Sequence, residues 1–394
     1  TAVTDAAVSA GTYTLSETNV AGYTAGAWAC TGGGTLTGDS LVLAGGEDVT
    51  CSITNNDQAA SLTLVKNVTN DNGGTATVTA FGLTTDAGTL TFGANSGTPQ
   101  NAVYTSNTLS VSAGTYTLSE SDVAGYTEGN WSCTGAAGAV TPTFNAGSVV
   151  IAGGETVTCS ITNNDQAASL TLVKNITNDN GGTATVTAFG LTTDAGTLTF
   201  GANSGTPQNA VYTSNTLNVP AGTYTLSESD VAGYTEGNWS CTGVAGAVTP
   251  TFNAGSVVIA GGETVTCSIT NNDQAASLTL VKNITNDNGG TATVTAFGLT
   301  TDAGTLTFGA NSGTPQAAVY TSNTLSVSAG TYTLSESDVA GYTEGNWSCT
   351  GVAGAVTPTF NAGSVVIAGG ETVTCSITNN DQAASLTLVK NITN

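Results

Sequence analysis

Apolar and polar residues alternate along most of the chain, in short stretches. The segment "SLTLVKNVT", residues 61–69, puts Leu62, Leu64 and Val68 on one side and mostly polar residues on the other. Successive side chains of a β-strand point to opposite faces, so this segment predicts a half-buried strand. No stretch carries a helical period, and we therefore expect an all-β protein.

Further segments of the same kind follow, separated by turn sequences such as "NDNGG", "DAG" and "AGGE". Short strands bounded by Gly, Asn and Asp at regular spacing are typical of a β-sandwich. The predicted strands lie near 61–69, 75–84, 89–93, 101–105, 108–112, 115–121, 127–134, 139–145, 148–152 and 155–164.

A sequence of 108 residues recurs along the chain, and the first two complete copies differ at four positions. Each copy is long enough to hold its own core, so the repeats predict a string of domains. We expect further copies on either side, because neither end carries a special capping sequence. The predicted organisation is the second part of a diverged repeat at 1–60, complete repeats at 61–168, 169–276 and 277–384, and the first strand of another repeat at 385–394.

Three polar residues fall on faces that are otherwise apolar. Lys66 shares a face with Leu62 and Leu64, Glu120 follows Leu118 in "TYTLSE", and Asn163 lies on the inward face of "TVTCSITNN". Alternation also selects Asn163 over its neighbour Asn164. The same residues recur as Lys174, Glu228 and Asn271, and as Lys282, Glu336 and Asn379.

Burying a lone charge is costly, so these residues need an arrangement that offsets the cost. Burial favours the neutral forms of lysine and glutamate. A neutral lysine amine can attack an asparagine side-chain amide, and loss of ammonia then leaves an isopeptide bond. The alternative is a buried Lys–Glu ion pair with asparagine as a hydrogen-bond partner.

Lysine in the first strand, "YTLSE" followed by "GY", and asparagine near the end of the last strand together resemble the B-type, prealbumin-like (transthyretin-like) repeats of bacterial collagen adhesins and pilins. The resemblance covers each whole repeat and implies a tandem array of Ig-like or prealbumin-like β-sandwich domains with seven strands each. It also implies Lys–Asn isopeptide bonds that a glutamate assists. By position these are Lys66–Asn163 with Glu120, Lys174–Asn271 with Glu228, and Lys282–Asn379 with Glu336.

The sequence departs from that family pattern in its cysteine pairs and in its number of strand segments. A disulfide could have replaced the isopeptide bond, which would leave lysine and glutamate as an ion pair. Glu17 and Asn55 would need a lysine upstream of this sequence, and Lys390 would need partners downstream.

Eight cysteines fall into one pair per repeat, with no histidine and no CxxC spacing. This pattern predicts disulfides rather than zinc ligands, and persistent disulfides indicate an oxidising compartment. Two free buried thiols per repeat are the alternative. The predicted disulfides are Cys30–Cys51, Cys133–Cys159, Cys241–Cys267 and Cys349–Cys375.

The charge balance excludes several classes of function. The net charge of −23 repels nucleic acid and anionic membrane surfaces, and no apolar run is long enough to span a bilayer. With no His, no Arg and no spare Cys, catalysis on an external substrate is not expected, and neither is a cofactor. The segment "TNDNGGT" at 69–75 offers only Asp71 as a carboxylate, so we interpret it as a turn rather than a calcium site.

Seven Asn-X-Ser/Thr sequons are candidate glycosylation sites on outward strand faces. Chance occurrence is the alternative, because Asn and Thr are so common in this chain. The sequons begin at Asn67, Asn130, Asn175, Asn238, Asn283, Asn346 and Asn391.

Near-identical tandem repeats favour a structural role, the shaft of an extracellular surface fibre, stalk or adhesin. Its expected partners are neighbouring repeats, other copies in a filament and the cell envelope. One alternative is an adhesin module that binds a host protein or a glycan. Another is a filament subunit in which residues 385–394 complete the partial domain 1–60 of a second copy.

Overall fold

The computed structural model describes residues 6–135, 143–145, 147–244, 251–253, 255–352, 359–361 and 363–393. The chain divides into two compact units. The first comprises Thr1–Ala168, Val219–Gly222 and Ala260–Glu263, and the second comprises Ser169–Asn218, Thr223–Ile259 and Thr264–Asn394.

Residues 6–59 form seven short strands, and a ten-residue strand that begins at Ala60 then opens the first complete repeat. The seven are β1 Gly11–Thr14, β2 Tyr23–Ala25, β3 Ala29–Thr31, β4 Thr35–Thr37, β5 Ser40–Leu43, β6 Thr50–Ser52 and β7 Asn55–Asp57.

The described residues of repeat 61–168, which are 61–135, 143–145 and 147–168, form ten strands and one short helix. They are β8 Ala60–Thr69, α1 Val78–Phe81, β9 Thr84–Thr85, β10 Asn101–Thr105, β11 Leu109–Val111, β12 Gly114–Ser119, β13 Tyr126–Glu128, β14 Ser132–Gly135, β15 Thr143–Asn145, β16 Ser148–Ile151 and β17 Thr156–Asp165.

The other two complete repeats have the same order of elements. Repeat 169–276 contains β18 Ala168–Thr177, α2 Val186–Phe189, β19 Thr192–Thr193, β20 Asn209–Thr213, β21 Leu217–Val219, β22 Gly222–Ser227, β23 Tyr234–Glu236, β24 Ser240–Val244, β25 Thr251–Asn253, β26 Ser256–Ile259 and β27 Thr264–Asp273. Repeat 277–384 contains β28 Ala276–Thr285, α3 Val294–Phe297, β29 Thr300–Thr301, β30 Ala317–Thr321, β31 Leu325–Val327, β32 Gly330–Ser335, β33 Tyr342–Glu344, β34 Ser348–Val352, β35 Thr359–Asn361, β36 Ser364–Ile367 and β37 Thr372–Asp381.

The first and last strands of a repeat lie side by side. In repeat 61–168, β8 pairs in parallel with β17, while β10 and β11 pair antiparallel with its other edge. β13 and β14 continue this sheet beyond β17. The second sheet has the order β15-β16-β12-β9. The long parallel pair is therefore the centre of the larger sheet.

The two sheets enclose an apolar core, as the alternation in the sequence predicts. Leu62 and Leu64 of β8 pack with Leu118 of β12 and with Val149 and Ile151 of β16. All five are at most 3% exposed. Full burial of one such side chain contributes about 1.5–3 kcal/mol. The β-sandwich prediction is confirmed.

Several predicted strands differ from those of the structure. Part of 75–84 forms helix α1, which ends where Gly82 takes φ 51°, a left-handed conformation that glycine adopts without steric cost. Of 89–93, only Phe92 makes a β-bridge. The segment 127–134 is divided between β13 and β14, and 139–142 lie outside the described residues.

Residues 385–393 form no strand, and Leu386, Leu388, Val389 and Ile392 are exposed. The assignment of this segment to a following repeat stays a prediction. Within the described part of the chain, no helix has the length and apolar character needed to cross a lipid bilayer.

Each disulfide joins neighbouring strands of one sheet. Cys133 of β14 lies directly opposite Cys159 of β17, and their sulfurs are bonded. The other bonds join Cys30 to Cys51, Cys241 to Cys267 and Cys349 to Cys375, the pairs expected from spacing. None of the eight cysteines is free.

We expect the double substitution Cys133→Ala and Cys159→Ala to destabilise repeat 61–168 by about 3 kcal/mol. The disulfide closes a 26-residue loop, and opening it restores conformational entropy to the unfolded chain. Hydrogen exchange of β14 and β17, measured by mass spectrometry, checks this. The intact repeat 277–384 in the same chain is the control, and equal protection in the two repeats would contradict the prediction.

Candidate functional site

The three polar residues predicted to share an interior face meet in each complete repeat. Lys66 lies on β8, directly opposite Ile161 of β17, and Asn163 lies two residues further along β17. Glu120 directly follows β12 of the second sheet. The side chains of Lys66 and Glu120 are fully buried, and Asn163 is 2% exposed. The pairing of the first strand with the last therefore brings together residues that are 97 positions apart.

The lysine amine contacts both partners. Lys66 Nζ donates hydrogen bonds to Glu120 Oε2 and to Asn163 Oδ1. The other complete repeats have the same contacts, with 2.5 Å between lysine Nζ and glutamate Oε2 in each. They involve Lys174 with Glu228 and Asn271, and Lys282 with Glu336 and Asn379.

An aromatic ring also faces the amine, and the sequence analysis did not identify it. Lys66 Nζ lies 4.1 Å from the centre of the Phe81 ring, and the distances at Phe189 and Phe297 are 4.2 and 4.1 Å. Phe81 ends helix α1, which was predicted as strand. The glycine directly after this phenylalanine was the available signal for a helix end.

Burial dominates the electrostatics of the site. It lowers the pKa of Lys66 below the usual 10.5, and the nearby Glu120 carboxylate opposes that shift only in part. The pKa values of Lys174 and Lys282 are lowered for the same reason. Glu120 Oε1 is buried without a hydrogen-bond partner among the described residues. An ion pair here thus leaves one carboxylate oxygen unsatisfied, which costs free energy.

Glu120 lies at the wall of a cleft of about 650 Å³, although its side chain is not exposed. Glu128, Asn130 and Trp131 line it, together with backbone at Gly129 and Gly147. Repeat 277–384 has a matching cleft lined by Glu336, Glu344, Asn346 and Trp347. The sequence analysis did not single out Glu128, because it follows an exposed threonine in a short polar segment. Its proximity to Glu120 depends on the register of β13.

The segment 69–75 is held as a turn. Asp165 Oδ2 accepts hydrogen bonds from the backbone nitrogens of Asn72 and Gly74, at 2.8 and 2.7 Å. Asp71 accepts a bond from the side-chain amide of Asn72. The carboxylates thus satisfy backbone and amide donors of the loop itself.

The remaining predicted site residues lie elsewhere. Asn55 Nδ2 donates to Glu17 Oε2 at 3.2 Å, and Lys390 is exposed. The sequons fall into two groups, and their glycosylation stays a prediction. Asn130, Asn238, Asn346 and Asn391 are exposed, whereas Asn67, Asn175 and Asn283 are half-buried on strands.

The chain belongs to a family defined by a prealbumin-like fold domain. The family model matches four segments, residues 1–53, 57–161, 165–269 and 273–377. These matches cover most of the chain. The recognition made from the lysine, glutamate and asparagine motifs is thereby confirmed.

Comparison with solved structures gives more distant likenesses. The major pilin protein T-13 of Streptococcus pyogenes is 14% identical, with 54% of this chain and 97% of that chain covered and a TM-score of 0.26. The pilus adhesin SpaC of Lactobacillus rhamnosus GG is 12% identical, with 88% of this chain and 46% of that chain covered and a TM-score of 0.23. Two B repeat units of the Staphylococcus aureus collagen-binding protein are 17% identical over 92% and 81%, with a TM-score of 0.19. No curated protein matches the sequence.

We expect the stability of a repeat that cannot form the cross-link to rise with pH. In the variant Asn163→Ala, burial keeps the pKa of Lys66 below 10.5, so the unfolded repeat binds more protons than the folded one. The free energy of unfolding therefore increases as the pH approaches 10.5 from below. The matched variant with Lys66→Met added lacks this proton difference and serves as the control.

Urea unfolding at several values between pH 7 and pH 9, followed by the fluorescence of Trp131, gives the free energy of unfolding of each variant. The slope of that free energy against pH is then compared between the two variants. Equal slopes in the two variants would contradict the assignment of this pH dependence to Lys66. The other tryptophans are replaced by phenylalanine, namely Trp28, Trp239 and Trp347.

Proposed function

We propose that the chain is a load-bearing segment of a long extracellular fibre, stalk or adhesin shaft. In this proposal each complete repeat is closed by an isopeptide bond between Lys66 and Asn163 or their counterparts. The carrying observation is the buried contact of the lysine amine with both the asparagine amide and a glutamate. The resemblance to repeats of bacterial adhesins and pilins supports the same role.

The geometry favours a covalent bond over a permanent ion pair. Lys66 and Glu120 are wholly removed from water, and the second oxygen of Glu120 has no partner in the described part of the chain. Burying a charged pair often costs more than the pair returns. Bond formation removes the ammonium charge and leaves a neutral amide in its place.

The reaction needs only these side chains. Proton transfer from Lys66 to Glu120 leaves a neutral amine, whose Nζ attacks Cγ of Asn163. Glu120 passes that proton to Nδ2, and the Cγ–Nδ2 bond breaks to release ammonia. The linking nitrogen gives its second proton to Glu120, which ends protonated beside the neutral amide. One N–C bond forms and one breaks, so no outside reagent is consumed. Close placement of the two reactants supplies much of the acceleration.

The position of the bond suits a tensile role. The chain enters repeat 61–168 at the start of β8 and leaves it after β17, and these strands are parallel neighbours. A bond between Lys66 and Asn163 would carry tension directly from β8 to β17. Residues 67–162 would then bear no load.

The disulfide would have a different mechanical role from the isopeptide bond. Cys133 and Cys159 both lie between Lys66 and Asn163 in sequence, inside the segment that the isopeptide bond would shield. It would therefore stabilise the folded repeat without carrying tension. In a repeat lacking the isopeptide bond, it would limit extension by the 26 residues that it encloses.

Contacts between successive repeats also fit a shaft. Within the second compact unit, Ala329 N donates to Asn180 O at 2.8 Å, and Gly370 N donates to Gln274 O at 3.0 Å. Gly181 has φ 82°, and a Cβ there would lie 2.5 Å from Ala329 O. This junction is thus built from backbone groups that approach too closely for a side chain.

The proposed location is outside the cell, at the cell envelope. One disulfide per repeat is expected only in an oxidising environment. A net charge of −23 keeps such repeats soluble and repels nucleic acid.

We expect the reduced, denatured chain to be lighter than its sequence mass by one ammonia for each of the three complete repeats. Intact-mass spectrometry before and after reduction checks this, because reduction alters only the disulfides. A mass equal to that of the plain chain would rule out the bonds. The control carries Lys66→Met, Lys174→Met and Lys282→Met, and should lack the deficit.

Single-molecule stretching should give steps that depend on both cross-links. The wild-type repeats 61–168, 169–276 and 277–384 should not unfold stepwise, because each bond spans 97 residues of a 108-residue repeat. The triple Met variant should unfold in steps. Reduction should lengthen each step by the 26 residues of the disulfide loop, about 90 Å at full extension. Full-length steps in the oxidised wild type would refute the load-bearing role.

A further inference from the structure

A second carboxylate lies beside the asparagine of the site. In the antiparallel pairing of β13 with β17, Glu128 is directly opposite Asn163. Residues opposite each other in such a pair point to the same face, with Cβ atoms about 4.5–5.5 Å apart. Asn163 is therefore flanked by Lys66 on the β8 side and by Glu128 on the β13 side.

The same arrangement recurs in the other complete repeats but not in the first, partial one. Glu236 is opposite Asn271, and Glu344 is opposite Asn379. In residues 6–60, the residue opposite Asn55 is Ala25. Ala25 lines a smaller cleft with Glu17 and Trp28. The carboxylate is therefore not required for the β13-type strand to pair.

Glu128 lies at the surface, beside the buried site. Glu128 is exposed and lines the same cleft as Glu120, and its carboxylate makes no hydrogen bond or ion pair with the described residues. Partial burial raises the pKa of Glu128, with smaller contributions from the charges of Glu120 and Asp122, while Lys66 opposes the shift. No hydrogen bond or ion pair with the described residues therefore accounts for a carboxylate at this position.

We propose that Glu128 speeds formation of the isopeptide bond by stabilising the positive charge that develops on the departing nitrogen of Asn163. This inference rests on the proposed isopeptide bond. The amide oxygen of Asn163 faces Lys66, so Nδ2 is the branch of the amide that remains to face other groups. A fixed carboxylate near a nitrogen that is being protonated lowers the barrier by electrostatic attraction.

The proton balance of the reaction is unchanged by Glu128. The proton on Nδ2 still comes from Lys66 through Glu120, and the Cγ–Nδ2 bond still breaks to release ammonia. Glu128 remains a carboxylate throughout and attracts the leaving nitrogen toward the open cleft. Glu236 and Glu344 have the same role in their repeats.

The test compares rates of bond formation within one chain. The full chain carrying Glu128→Gln is made by cell-free synthesis under oxidising conditions, and samples are denatured at intervals. After proteolysis, mass spectrometry gives the cross-linked fraction of each repeat. We expect cross-linking of Lys66 to Asn163 to slow about tenfold, the effect of one unit charge at a partly exposed site. Repeats 169–276 and 277–384 should react at the wild-type rate.

Further variants separate an electrostatic role from a structural one. Glu128→Asp should restore most of the rate, and Asp122→Asn, which removes a nearby charge outside the cleft lining, should change it less than twofold. Glu236→Gln should slow cross-linking in repeat 169–276 and leave the rate in repeat 61–168 unchanged. As the pH falls through the raised pKa of Glu128, the wild-type rate should approach that of Glu128→Gln.

Equal rates in the wild type and in Glu128→Gln would overturn the role of Glu128 while leaving the isopeptide bond intact. A deficit in Glu128→Gln that neither pH nor Glu128→Asp changes would also overturn it, since a packing defect behaves in that way. Absence of cross-linked peptides from every repeat would refute the proposed bond itself and this inference with it.

Discussion

The burial of a lysine amine in the central strand of each complete repeat is the constraint on which the other features depend. Lys66 lies between Leu64 and Val68, and all three are at most 1% exposed. An ammonium ion at such a place must be paired, neutralised or chemically consumed. The groups around the amine make such an outcome possible. They are the asparagine of the last strand, which is parallel to the first, the glutamate after β12 and the phenylalanine of α1.

Much of this site could be predicted from the sequence, because strand alternation is a local property. Lys66, Glu120 and Asn163 each break an apolar face, and counting by two along three separate strands identified them. Their meeting required only that the strands share one core. Cysteine spacing likewise predicted the disulfide between β14 and β17, since both cysteines fall on inward faces.

Other parts of the site depend on information that alternation does not carry. The segment "TATVTAFG" mimics a strand because β-branched and apolar residues alternate in it, yet Phe81 ends a helical turn before Gly82. Glu128 reaches the site through the register of β13 against β17, which no local pattern fixes. Short helices and cross-strand registers are set by tertiary packing, so sequence reasoning missed both.

The parallel pairing of β8 with β17 creates a problem of partner choice during folding. Strand β27 carries the same sequence as β17, so the lysine of one repeat could enter the sandwich of the next, and a covalent bond would make that error permanent. Synthesis from the amino terminus presents Asn163 to Lys66 before Asn271 exists. If the proposed bond forms, this order of synthesis would favour pairing within one repeat over pairing between near-identical repeats.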